Sequence, residues 1–247
     1  EPFADKAQIL CVKRRSSETI KYASNAFLAL KIHYINEMAN FCEKAGADIY
    51  EVAKGMGLDS RIGNKFLNPG PGYGGSCFPK DTNAMAYMGR QNNVTMSLIE
   101  AAIKGNDERQ KEMADRILAP VKSIPDAKIA VLGLAFKGGT DDCRVSPAMA
   151  IITNLINLDA KITAYDPKAM ENAQKVLGDK INYAENMYQA AKGADVLAIL
   201  TEWDEFRHID FGKLKLAMRT PVIVDLRNIL QPEDARTAGF DYYSIGR

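Results

Sequence analysis

The sequence predicts an α/β protein in two parts, with an all-helical first half and a doubly wound parallel sheet in the second. Three observations carry this. Up to about residue 120 the apolar residues recur at steps of three and four, the spacing of one helix face. Pro120 and Pro125 then punctuate the chain. Beyond them, short apolar runs alternate with helical or turn segments, as in a parallel sheet covered on both faces. Residues 1–120 are expected to form a helical domain and residues 121–247 an α/β domain.

The first helix is expected over 18–46, with Ile20, Ala23, Phe27, Leu30, Tyr34, Ile35, Met38 and Phe41 on its apolar face. Gly46 suits its C-terminal cap, where a left-handed residue often ends a helix. A second helix is expected near 48–55, and two more over 81–91 and 95–118. The last is rich in Lys and Glu on its polar side. Five strands follow: KIAVLGL at 128–134, AKITAYD at 160–166, ADVLAIL at 194–200, TPVIVDL at 220–226 and FDYYSIG at 240–246.

This sheet invites comparison with a dinucleotide-binding fold, because Asp166 ends the second strand where such folds place a ribose-binding acid. The first strand, however, runs into GLAFKGGTDD rather than G-x-G-x-x-G. The domain is therefore read as holding a nucleotide diphosphate, not NAD. Ligands of such sheets sit at the carboxyl ends of the strands, where Lys137 and Arg227 both fall.

Composition excludes several classes. A net charge of +1 gives no electrostatic case for nucleic acid or an acidic membrane surface. No run of 18 apolar residues occurs, so no transmembrane helix is expected. The two histidines, His33 and His208, lack metal-ligand spacing, and no metal site is expected. Cys11, Cys42, Cys77 and Cys143 are widely spaced, without a C-x-x-C pair. Reduced thiols and a cytoplasmic location are the expectation.

Residues 69–82, PGPGYGGSCFPKDT, are the densest motif. Gly70, Gly72, Gly74 and Gly75 allow the backbone to approach a ligand closely. Pro79 fits the first turn of a helix, where its missing N–H costs nothing. Cys77 then lies at the helix's positive end, which favours a thiolate. Asp81, four residues on, falls on the same side. A sulfur, an acid/base partner and open space are the parts of covalent catalysis. A cysteine is also most often a small buried hydrophobe, and glycines often mark only a turn, so the motif as a whole has to carry the reading. Lys21 and Asn25 share one helix face, four apart, and could offer an ammonium and an amide to one oxygen.

GYGGSCFPKD resembles the active-site loop of the nucleotide-sugar dehydrogenases, the UDP-glucose/GDP-mannose dehydrogenase family. Further segments resemble that family in order: 20–48, 57–82, VLGLAFKGGTDDCRVSP at 131–147, ILTEWDEF at 199–206 and VDLRNI at 224–229. Members begin with an NAD-binding domain opening on a strand and a G-x-G-x-x-G turn; GPGYGG at 70–75 has that spacing but follows no expected strand, so it is not read as that turn. The chain is thus expected to hold the central dimerisation domain and the C-terminal, Rossmann-like UDP-binding domain, to lack the N-terminal NAD-binding domain, and to be inactive alone.

The resemblance implies NAD-dependent oxidation of UDP-glucose to UDP-glucuronate in two steps. The substrate alcohol becomes an aldehyde, which Cys77 captures as a thiohemiacetal. That is oxidised to a thioester, which water hydrolyses. Lys21 and Asn25 would assist proton transfer and stabilise oxyanions, where one donor contributes roughly 3 kcal/mol. Asp81 would manage the protons of the hydrolytic water.

For the sugar nucleotide, the resemblance implies contacts from Phe66, Leu67 and Asn68 through backbone, from Tyr73 and Gly74, and from Lys137 and Arg227. Arg61 would reach the substrate of a neighbouring subunit, in a homodimer whose interface uses the helices 18–46 and 95–118. Arg144 and Lys80 would meet the cofactor, NAD. Ser76 and Lys80 argue against the sister enzymes for UDP-N-acetyl-mannosamine. The enzymes for GDP-mannose share GGSCxPKD and stay open as an alternative. So does a role for this chain as a non-catalytic sugar-nucleotide-binding and dimerising module.

Overall fold

The protein is described by a computed structural model over residues 9–247; residues 1–8, at the start of the expected helical domain, lie outside the described residues. The helical part opens with α1 (Arg14–Ala45). Gly46 ends it at φ 73°, its N–H returned to the Cys42 carbonyl. Helix α2 (Ile49–Gly57) follows, capped by the Asp48 side chain. Then come α3 (Phe78–Gln91), with Pro79 in its first turn, and α4 (Ser97–Leu118).

The α/β part runs β1 (Lys128–Leu132), α5 (Pro147–Asn157), β2 (Lys161–Tyr165), α6 (Met170–Leu177), β3 (Asn182–Tyr183), α7 (Met187–Ala190) and β4 (Val196–Ile199). It continues with α8 (Asp204–Arg207), α9 (Phe211–Ala217), β5 (Val222–Asp225), α10 (Pro232–Thr237) and β6 (Asp241–Tyr243). All pairings are parallel, in the order β3-β2-β1-β4-β5-β6. That is the doubly wound arrangement expected. The central strands β4 and β5 are buried at every position, as a sheet covered on both faces requires. The sequence reading has five strands and the structure six, because β3 is a two-residue edge strand too short to leave a pattern.

The apolar face predicted for α1 differs from the one buried. Ile20, Phe27, Tyr34 and Phe41 are exposed, while Ala26, Ala29, Ile35, Ala39 and Cys42 are buried. Helix α1 packs on α3 and α4, and small residues there let the helix axes approach closely. The larger residues, seven apart, form a separate apolar stripe facing solvent.

One core runs through both parts, from Ile35 and Ile117 to Val131 and Leu197. Polar contacts reinforce the seam. Arg116 on α4 grips Glu43 on α1 with two bonds of 2.7 Å and donates to the Ser244 carbonyl at 3.1 Å. Glu43 in turn accepts from the Gly246 N–H at 2.6 Å. Gly246 has φ 78° and sits directly over Ile49 and Ala39, so a side chain would not fit. No helix among the described residues is long and apolar enough to cross a membrane.

Candidate active site

Cys77 is exposed and stands at the N-cap of α3, its sulfur 3.8 Å from the Ser76 hydroxyl. One turn on, the Asp81 N–H donates to the Cys77 carbonyl at 2.9 Å. The Asp81 side chain is fully buried. It accepts from Asn25 at 2.6 Å, from Lys80 at 2.6 Å and from Lys21 at 3.2 Å. Burial pushes the Asp81 pKa up, but hydrogen bonds from Lys80, Asn25 and Lys21 outweigh it and leave the carboxyl below its ordinary value. Lys80 is raised in turn by its bond to Asp81. The four residues Lys21, Asn25, Lys80 and Asp81 thus form one cluster joining α1 to the start of α3. The sequence reading put Lys80 on the cofactor; its ammonium here lies on Asp81.

A cavity of about 660 Å³ opens between the helical part and the sheet; Cys77 and the four residues of the cluster are not part of its lining, which reaches them only through Phe78. Phe66, Asn68, Tyr73 and Gly74 line one side, Lys137 and Arg227 the other, and Phe78, next to Cys77, closes one wall. Lys137 follows β1 and Arg227 follows β5, both at carboxyl ends of strands. Arg227 is paired with Glu202, which follows β4. Phe66 holds φ 63°, an uncommon conformation for a residue with a side chain, and meets the Phe78 ring edge-on at 6.1 Å.

Other predicted site residues stand differently. Leu67 is buried in the core and leaves only its backbone to a ligand. The Tyr73 hydroxyl turns inward and donates to the Ala102 carbonyl at 3.3 Å; burial raises its pKa to about 12. Arg61 is exposed and paired with Asp59, away from the cavity. Arg144 is exposed and forked onto Asp142 with two bonds of 3.0 Å.

The glycine loop is close to protein as well as to the cavity. A side chain at Gly72, which has φ 117°, would come within 2.7 Å of Asn106 Oδ1, and one at Gly75 within 2.9 Å of the Phe136 ring. Gly74 abuts Pro147 and the Val145 carbonyl, which also accepts from the Gly75 N–H at 3.0 Å. Much of the space the glycines open is therefore filled by α4 and by the loop after β1. Sequence reasoning missed Asn36, Asn106 and Arg109, three buried polar side chains on α1 and α4 that touch this loop. Polar residues inside an apolar helix face were the only available signal.

The ribose-acid comparison for Asp166 does not hold. Its buried carboxylate accepts from the N–H groups of Leu134, Ala135, Lys168 and Ala169 and from the Trp203 indole, at 2.7 to 3.0 Å. The Leu134 and Ala135 amides of the β1 turn, which a pyrophosphate would need, are already occupied. The turn after β1 therefore offers a ligand neither of these two N–H groups. Among the described residues no His, Cys, Asp or Glu cluster could hold a metal ion.

A helical part, a doubly wound parallel sheet and a cavity between them, with an exposed cysteine next in sequence to one of its walls, define a two-part α/β protein. Residues 15–108 match the UDP-glucose/GDP-mannose dehydrogenase family, central domain, and residues 130–232 match the same family's UDP binding domain. The UDP-glucose 6-dehydrogenase of Rhizobium meliloti is 49% identical over 99% of this chain and 56% of its own length. TuaD of Bacillus subtilis, also a UDP-glucose 6-dehydrogenase, is 44% identical over 100% of this chain and 53% of its own length. A solved UDP-glucose dehydrogenase from Pyrobaculum islandicum superposes with a TM-score of 0.86 at 36% identity, over 96% of this chain and 52% of that one. The chain belongs to the UDP-glucose/GDP-mannose dehydrogenase family. It spans about half the length of the curated relatives it matches.

Proposed function

We propose that this chain carries the substrate-binding and covalent machinery of an NAD-dependent UDP-glucose 6-dehydrogenase. The observation that carries the reading is the exposed Cys77 at the head of α3, one turn before an Asp81 that gathers Lys21 and Asn25. The cavity beside it supplies the place for a sugar nucleotide. Lys137 and Arg227 provide cations for the diphosphate or sugar, and the backbone of Phe66, Leu67 and Asn68 provides polar edges. Relatives at 44 to 49% identity bear the name UDP-glucose 6-dehydrogenase, which favours UDP-glucose over the sugars of sister enzymes.

In this reading the Cys77 sulfur adds to the aldehyde carbon formed from the substrate's primary alcohol. The adduct is oxidised to a thioester, and water cleaves it to the carboxylate and the free thiol. Covalent capture divides a hard oxidation into easier steps and retains the aldehyde. NAD, when bound, accepts one hydride at each oxidation. Arg144 would hold part of it, since it is an exposed cation on the loop after β1 that, unlike Lys137, does not line the cavity. Lys21 and Asn25 lie where they can serve an oxyanion. Asp81, held as an anion, would orient the Lys21 and Asn25 donors and take up a proton from the hydrolytic water.

Two copies would pair through the solvent-facing stripe of Ile20, Phe27, Tyr34 and Phe41 on α1, carrying Arg61 toward the partner's cavity. A nucleophilic thiol needs a reducing compartment, which fits the cytoplasm.

The test follows absorbance at 340 nm in a full-length protein carrying this chain, with NAD and limiting UDP-glucose, GDP-mannose or UDP-N-acetyl-mannosamine. Two NADH per UDP-glucose and little from the others is the expected result. Activity with another sugar alone would overturn the substrate. The isolated 247 residues are expected to bind UDP-glucose and yield no NADH, because hydride transfer needs the nicotinamide held against the sugar.

A further inference from the structure

The glycine loop passes over three buried polar side chains that line no part of the cavity. Asn106 on α4 clamps Tyr73 at both backbone atoms. Its Oδ1 accepts from the Tyr73 N–H at 2.8 Å, and its Nδ2 donates to the Tyr73 carbonyl at 3.1 Å. Three residues earlier, Gly70 is held the same way by two side chains. Its N–H donates to Asn36 Oδ1 on α1 at 2.8 Å, and its carbonyl accepts from Arg109 Nε on α4 at 3.1 Å. Arg109 is itself oriented by Asn40, at 2.5 Å. Between the two clamped residues lies Gly72, whose φ of 117° and closeness to Asn106 leave no room for a side chain.

Four backbone groups of an irregular loop thus find their partners in helix side chains, where strands or helices would use one another. An amide that both donates and accepts fixes the peptide plane as well as the position. Removing it leaves a buried N–H and a buried carbonyl unpaired.

We infer that Asn106, with Asn36 and Arg109, is a positioning group for the Gly70–Tyr73 segment, setting the cavity wall and the approach to Cys77 without touching the ligand. The substrate part rests on the reading given under Proposed function; the loop part does not. The loop's path is then written on α1 and α4, so a change there reaches the cavity at second hand.

The experiment uses the 247-residue protein and three readouts: amide hydrogen exchange, the alkylation rate of Cys77 by iodoacetamide, and calorimetric binding of UDP-glucose. In Asn106→Ala, exchange at Tyr73 is expected to rise at least tenfold while the amides of β1 and β4 keep wild-type protection. The alkylation rate of Cys77 changes, and the Kd for UDP-glucose rises about tenfold. Gly72→Ala, which displaces Asn106 without deleting it, is expected to do the same, and serves if Asn106→Ala does not fold. Asn106→Asp keeps the acceptor for the Tyr73 N–H, so Tyr73 stays protected while binding weakens. Unchanged local exchange at Tyr73 in both Asn106→Ala and Gly72→Ala would overturn the inference. So would a rise shared equally by β1 and β4, which would mark a merely stabilising role. A wild-type protein that binds no UDP-sugar would sink the proposed function, yet the exchange readout would still decide the loop's dependence on Asn106.

Discussion

Asn25 on α1 donates to Asp81 on α3 across 2.6 Å, over 56 positions of sequence. The bond closes a cluster in which Lys21 and Lys80 also meet the carboxylate. Two ammonium groups share one buried anion, so its removal leaves them facing each other.

Asp81→Asn is expected to destabilise the protein by about 1 kcal/mol, since it removes a buried carboxylate whose lysine partners are themselves largely exposed and can be solvated. The pH dependence has a definite sign. The Asp81 carboxyl lies below its ordinary value of 3.8 in the folded state. Its contribution to stability is therefore full above that value and lost as pH falls through the lower folded one. Urea unfolding from pH 5 downward should show a shallower acid loss in Asp81→Asn than in the wild type. Parallel curves would count against the cluster.

Thiol accessibility separates the four cysteines. Cys77 and Cys11 are exposed, while Cys42 and Cys143 are buried. Brief treatment with iodoacetamide should label the first pair in the folded protein, with the second pair labelled only in denaturant. Peptide mass spectrometry reads the result. In a full-length protein, Cys77→Ser should retain UDP-glucose binding and lose acid formation. Normal release of the acid would end the covalent mechanism.

Lys137 and Arg227 face the cavity from the sheet. Each charge-assisted hydrogen bond contributes about 1.5–3 kcal/mol. Replacing either by Ala should raise the Kd for UDP-glucose about ten- to hundredfold. Arg227→Ala also strips Glu202 of its partner, so its effect should be the larger. Calorimetry with unchanged affinities would remove these residues from the site.

Asp166 is a structural knot. Deleting a buried acceptor of five hydrogen bonds by Asp166→Ala should destabilise the protein by about 3 kcal/mol or more. Chemical denaturation measures this directly. A stability near wild type would restore the possibility of a ligand-facing role.

The exposed stripe on α1 predicts self-association. Phe27→Asp, with Tyr34→Asp beside it, should convert a dimer to a monomer in sedimentation velocity while leaving the far-ultraviolet circular dichroism unchanged. A wild-type protein that sediments as a monomer at micromolar concentration would refute the pairing.

The sequence by itself determined the order of the main elements and the motif on which the proposed chemistry rests. Helical spacing to residue 120 and apolar runs beyond it are local patterns, and local patterns survive in one dimension. Gly46 and Pro79 mark helix ends because such signals are made by neighbouring residues. The motif around Cys77 was legible for the same reason, with sulfur and carboxylate one turn apart. What only the tertiary structure decided are relations between distant segments. Lys21 and Asn25 share a face in sequence, but only the packing of α1 on α3 brings them to Asp81. The solvent-facing stripe on α1 could not be told from its buried face, since both carry apolar residues at helical steps. Asp166 looked like a ligand acid until five donors, drawn from three separate loops, were seen to converge on it. Asn106 showed only as a polar residue inside an apolar helix face, because a buried amide has meaning only through the backbone it holds, and that backbone lies 33 residues away.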